Sequence, residues 1–115
     1  MKFEIKGRPA SKKNNRRNFR NVSLPSKAFM RFEKESLPQL YGLVKKPFDV
    51  PVFVSYVFYQ KGKYRQDLDN AICSIGDVLQ EAGIILDDTL ITMIAAEKIG
   101  GAKDWLTEIN IEEIS

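Results

Sequence analysis

Seven consecutive residues, Tyr64-Arg65-Gln66-Asp67-Leu68-Asp69-Asn70, carry the densest chemistry in this chain, and a second acidic pair, Asp87-Asp88, follows them. Asp67 and Asp69 are separated by one residue. If the backbone is extended as it enters the next element, both carboxylates point to one side and Leu68 to the other. Two like charges about 4 Å apart repel by on the order of 1 kcal/mol in water and several-fold more near a protein surface. A divalent cation between them removes the conflict, and hard oxygen donors suit Mg²⁺ or Mn²⁺ rather than zinc. On the residues alone a plainer role stays open: Asp69 and Asn70 also favour the cap of the helix that follows, and Asp87-Asp88 also suits a turn.

Composition narrows the chemistry. The 115 residues are 43% apolar and contain no histidine, which excludes Ser-His-Asp and Cys-His catalysis and histidine-ligated zinc. One domain, 1–115, with a single core is expected at this length. The lone Cys73 forms no internal disulfide, so a reducing compartment is expected. No apolar run approaches 18 residues, and Met1 to Lys6 alternates as a strand does rather than as a signal peptide. These features point to a cytoplasmic protein with no membrane partner.

Net charge is only +3, but it is divided. Through Lys34 there are 11 Lys/Arg against two acidic residues; from Glu35 onward there are 7 against 13. A basic front of this kind suits a polyanion. The run from Lys12 to Asn21 supplies Lys12, Lys13, Arg16, Arg17 and Arg20 with one aromatic, Phe19, and is too polar to fold on itself; it reads as a loop or arm on the DNA backbone. Lys63 and Arg65 form a second basic loop that leads directly to Asp67.

The elements that must position these groups follow from periodicity. Lys2 to Lys6 reads as a strand. Ser26 is the expected N-cap of a first helix with Phe29, Phe32, Leu37, Leu40 and Leu43 along one stripe, kinked or interrupted at Pro38. Val50 to Tyr59 is apolar on both faces, as in a central strand covered on two sides. Leu68, Ile72, Ile75, Leu79 and Ala82 mark one face of a second helix that ends at Gly83, with Gly76 as a point of close packing. Thr92 to Ile99 and Trp105 to Ile111 read as a hairpin turning at Gly100 to Asp104, with Trp105, Thr107, Ile109 and Ile111 on one face. The fold class is α+β, order β-α-β-α-β-β, with a mixed or antiparallel sheet. The second helix and its turn are expected to bring Asp88 back near Asp67 and Asp69.

Arg65-Gln66-Asp67-Leu68-Asp69-Asn70, the helix with Asp77-Val78-Leu79 and Ala82-Gly83, and then Asp87-Asp88, resemble the signature of the RusA family of Holliday junction resolvases of bacteria, phages and prophages. The resemblance implies a homodimeric, Mg²⁺-dependent endonuclease that nicks two strands of a four-way DNA junction symmetrically in recombination and repair. It implies Asp67, Asp69 and Asp88 as essential carboxylates and metal ligands, with Asp87 beside them. The family also has an important lysine one turn into the motif helix, where this chain has Cys73. Either Lys98, Lys63 or Arg65 takes over that electrostatic role, or activity is reduced or uses another geometry.

The chemistry required is phosphodiester hydrolysis: a polarised phosphoryl oxygen, an activated water and relief of charge on the departing 3′ oxygen, all within reach of a carboxylate-bound Mg²⁺. Two other readings stand beside it. One is a silent junction- or DNA-binding protein of the same fold, which the Cys73 departure favours; the other is an RNA-binding or assembly domain whose aspartates are only caps.

Overall fold

The β-branched and aromatic stretch at the middle of the chain forms the inner strand about which the rest is laid. The computed structural model describes residues 1–10, 17–19, 22–24, 26–63 and 66–114, with backbone alone at 17–19 and 22–24. In chain order the elements are β1 (Lys2–Lys6), β2 (Arg17–Phe19), β3 (Val22–Leu24), α1 (Lys27–Leu40), β4 (Val52–Lys61), α2 (Leu68–Glu81), a 3₁₀ turn (Asp88–Leu90), β5 (Ile91–Ala102) and β6 (Leu106–Glu113). This is the expected α+β order with one addition. The end of the basic run, expected as a loop or arm, forms β2 and pairs with β3 just after the run, Arg17 against Leu24 and Phe19 against Val22, in a small two-stranded sheet.

The main sheet has the order β1-β6-β4-β5. β4 is antiparallel to β6 and parallel to β5. Adjacent parallel strands need a crossover rather than a tight turn, and α2 supplies it. The expected hairpin of the last third is therefore not formed: β5 and β6 follow one another in sequence, but β4 lies between them. The Gly100-Gly101 turn signal is real, since Gly101 has φ +82°, yet it falls inside β5 and serves the contact with the end of β4, where Gly101 N–H donates to the Gly62 carbonyl.

One face of the sheet carries the core. Val52, Val54, Tyr56 and Phe58 of β4, Ile109 and Ile111 of β6 and Ile5 of β1 are buried together with Phe29, Phe32 and Leu40 of α1 and Ala71, Ile75, Val78 and Leu79 of α2. The two-residue alternation of the strands meets the apolar stripes of two helices, which is the packing that period-2 and period-3.6 patterns dictate. The other face of β4 presents half-buried Phe53, Val57 and Tyr59. β4 is thus central in order, but helices cover it on one side rather than two.

Local signals explain the helices. The Ser26 hydroxyl accepts from the Phe29 N–H at 3.1 Å and caps α1. Pro38 sits inside α1, which runs only two residues further, so it shortens the helix rather than breaking it. Leu43 falls beyond the helix and is exposed, outside the expected stripe. α2 ends at Glu81, and Gly83 takes φ +75° just past it, as a helix C-terminus favours. Gly76 is buried, but a Cβ there would meet nothing within 4 Å, so close packing is not the reason for it.

Candidate functional site

Asp67 is the N-cap residue of α2, with extended backbone at φ −62° and ψ 133°, and its carboxylate accepts no cap hydrogen bond from the helix. The extended chain expected around Asp67 and Asp69 ends at Asp67; Asp69 is already in the first helical turn. Both acids are exposed while Leu68 turns half-buried toward the core. Asn70 Nδ2 donates to Asp67 Oδ2 at 3.4 Å. The amide-bearing residue of the motif thus serves the acid rather than the helix.

Lys98 reaches this end of α2. Register places it beside Phe58 on the helix-covered face of the sheet, and its Nζ donates to the Gln66 carbonyl at 3.0 Å. An ammonium therefore stands one residue before the Asp67 cap. Lys98 is one of the three cations expected to stand in for the lysine that the resemblance implies at position 73; Cys73 itself is an exposed free thiol. Lys63 is exposed in the turn after β4, on the approach to the motif.

Gln66, Gln60 and Ser74 were not legible as site residues. The Gln66 carbonyl also accepts from Gln60 Nε2 at 3.5 Å, and the Gln66 side-chain amide donates to the Pro9 carbonyl. The Ala10 N–H donates to Ser74 Oγ at 3.0 Å, and Ser74 is fully buried in α2. Pro9 and Ala10 are thereby pinned to the acid-bearing turns of α2 at the point where the chain leaves for the basic run. A glutamine between an arginine and an aspartate gives no sequence signal of such a role; the partners lie 57 and 64 residues away.

Asp88 is placed elsewhere. Its N–H donates to Gln80 Oε1 at 3.0 Å, in the last turn of α2. The 14 residues of α2 span about 21 Å, so Asp88 lies a helix length from Asp67 and Asp69. The expected return within one chain does not occur, because the residues after α2 only turn into β5, which then needs ten more residues to come back to Lys98. Asp87 is occupied by the fold: its Oδ1 accepts from the Thr89 N–H at 2.9 Å and caps the 3₁₀ turn. That N–H holds the Asp87 carboxyl below the usual carboxylate range. The capping role weighed for Asp87-Asp88 is met by Asp87.

Among the described residues no three Asp, Glu, Cys or His side chains gather closely enough to hold a metal ion. One chain, taken alone, does not fit a three-carboxylate magnesium site. Of the expected DNA contacts, Lys12, Lys13, Arg16, Arg20 and Arg65 lie outside the described residues, and Arg17 is described only as backbone in β2. Among the described residues no helix is long and apolar enough to cross a membrane.

No curated protein matches the chain. Residues 3–112 match the sequence profile of the family described as Endodeoxyribonuclease RusA, which leaves out only the first two and last three residues. With the acid motif at the head of α2, a lysine drawn to it and the family's order of elements, the chain belongs to the RusA endodeoxyribonuclease family.

Proposed function

We propose that the protein is a homodimeric endonuclease that resolves four-way DNA junctions by paired symmetric nicks, in recombination and repair in the cytoplasm of a bacterial host. The observation that carries the reading is Lys98 Nζ on the Gln66 carbonyl, beside two exposed carboxylates of the family motif. At that end of α2 the helix N-terminus and the ammonium supply positive potential for a phosphate oxygen. Asp67 caps no helix N–H, Asp69 is exposed in the first turn, and both can accept hydrogen bonds from an attacking water. Lys12, Lys13, Arg16, Arg17, Arg20, Lys63 and Arg65 would hold the backbone on either side, and junction selectivity would come from shape rather than base reading.

Mg²⁺, with Mn²⁺ as a substitute, is the cation that such oxygen donors take. One chain alone does not gather Asp67, Asp69 and Asp88 around such an ion. A two-fold axis exchanges the ends of the fold, so a homodimer is the arrangement in which Asp88 of the partner subunit can face Asp67 and Asp69. Two such sites also match two symmetric cuts.

The exposed Cys73, where the family has its lysine, favours a second reading as a silent binder of branched DNA. Incubation with a labelled four-way junction and Mg²⁺, repeated with Asp69→Asn, separates the two. The resolvase gives paired nicks that the substitution removes while junction binding persists. Binding without nicks in the unaltered protein establishes the silent binder, and equal affinity for junction and linear duplex removes both in favour of an assembly or RNA-binding role.

A further inference from the structure

Among the described residues the main sheet has two margins, β1 and β5, each with a row of backbone N–H and C=O groups that no strand of the sheet pairs. β1 is five residues long and protected by exposed Lys2, Glu4 and Lys6. β5 is twelve residues long, contains no proline, and exposes Met93 at 54%, Ile94 at 47% and Ile99 at 40%. A long edge without proline, whose only charges are the adjacent opposite pair Glu97-Lys98, is a template for another strand. Register puts Met93 and Ile99 on the helix-free face, beside Phe53 and Tyr59, and Ile94 on the helix-covered face, beside Val54.

We propose that β5 pairs antiparallel with β5 of a second copy about a two-fold axis through Ala96, joining two four-stranded sheets into one of eight strands. This rests on the homodimer reading above and gives it a surface.

The sequence of the strand selects the occupant and the register. An axis normal to the sheet keeps each face continuous across the join, so residues of like face must oppose one another. With Ala96 on the axis, Met93 opposes the partner subunit's Ile99 and Ile99 opposes the partner subunit's Met93. Ala95 opposes the partner subunit's Glu97, and Ile94 opposes the partner subunit's Lys98. No like charges meet, two apolar pairs form on one face, and the overlap covers nearly the full length of β5. Moving the axis to Glu97 would set that carboxylate against its own copy, which is destabilising.

The test uses the full chain with Cys73→Ser, to remove the native thiol. Directly opposed antiparallel residues have Cα atoms about 4.5–5.5 Å apart, inside the disulfide range. Ala96→Cys on this background is expected to give a covalent dimer on mild oxidation, while Glu4→Cys on the β1 edge gives none. Separately, Met93→Lys with Ile99→Lys places like charges opposite one another and is expected to weaken dimerisation at least tenfold by sedimentation, with the melting transition of the fold retained. A dimer that resists Met93→Lys with Ile99→Lys and yields no Ala96→Cys cross-link overturns the β5 surface and leaves the homodimer standing. A parent protein that is monomeric at every concentration removes the homodimer reading itself, and the surface with it.

Discussion

The two ends of α2 treat their acids differently. At the N-terminal end Asp67 sits at the cap position without capping, Asp69 is exposed in the first turn, and the Gln66 carbonyl collects an ammonium and an amide from two strands. At the C-terminal end Ile84 and Ile85 are fully buried, Ile85 bridges to Phe48, and Asp87 spends its carboxylate on the Thr89 N–H. An acid consumed by the fold contributes to folding, whereas an acid that the fold leaves unused is free for chemistry. By that criterion the end of α2 with Asp67, Asp69 and Lys98 is the candidate functional end.

The contrast is sharpest if activity and stability separate between the ends. Asp69→Asn is expected to lower junction cleavage by about 100-fold or more, with a melting temperature close to that of the parent, since an exposed side chain is removed from no packing. Ile85→Ala at the other end should do the reverse, costing about 2–5 kcal/mol in denaturant unfolding and leaving cleavage intact where the protein stays folded. A loss of activity in folded Ile85→Ala protein would erase the distinction. Lys98→Met should reduce cleavage by about tenfold, a smaller share of the gain usual for one charge-stabilising donor, while the methionine stem keeps the packing of the lysine chain. A rate unchanged in Lys98→Met would leave the acid pair without its ammonium and transfer the role to Lys63 or Arg65.

Smaller effects test the scaffold between the ends. Gly76→Ala is expected to stabilise the protein by about 0.5–1 kcal/mol in chemical unfolding, because alanine favours the helix and its Cβ has open space. For Asp87, the folded carboxyl is held below its ordinary value by the Thr89 N–H. Its contribution to stability is therefore complete above the unfolded value of about 3.9 and is lost as pH falls through the lower folded value. Melting curves of Asp87→Ala and the parent should differ slightly near neutrality and converge in acid; a gap that widens in acid would contradict the cap.

Much of this fold was legible because local signals agreed with it. Ser26 met its N–H three residues on, the repeat from Leu68 to Leu79 found the core, and Val52 to Phe58 alternated as a buried strand must. The hairpin failed because nothing in the alternation of Thr92 to Ile99 says which strand lies alongside; β4 enters from 40 residues earlier and takes the place between β5 and β6. Asp88 failed for a reason of length: a rise of about 1.5 Å per residue carries the chain away from Asp67 faster than a short turn can return it. Lys98 is legible as a cation on the strand after the motif helix, whereas Gln66 gives no signal because its partners Pro9 and Lys98 are distant in sequence.

The pinning of Pro9 and Ala10 to α2 has a mechanical meaning. Gln66 precedes the Asp67 cap and Ser74 lies in the second turn of α2, so the point from which the cationic run departs is fixed beside the acid pair by two hydrogen bonds.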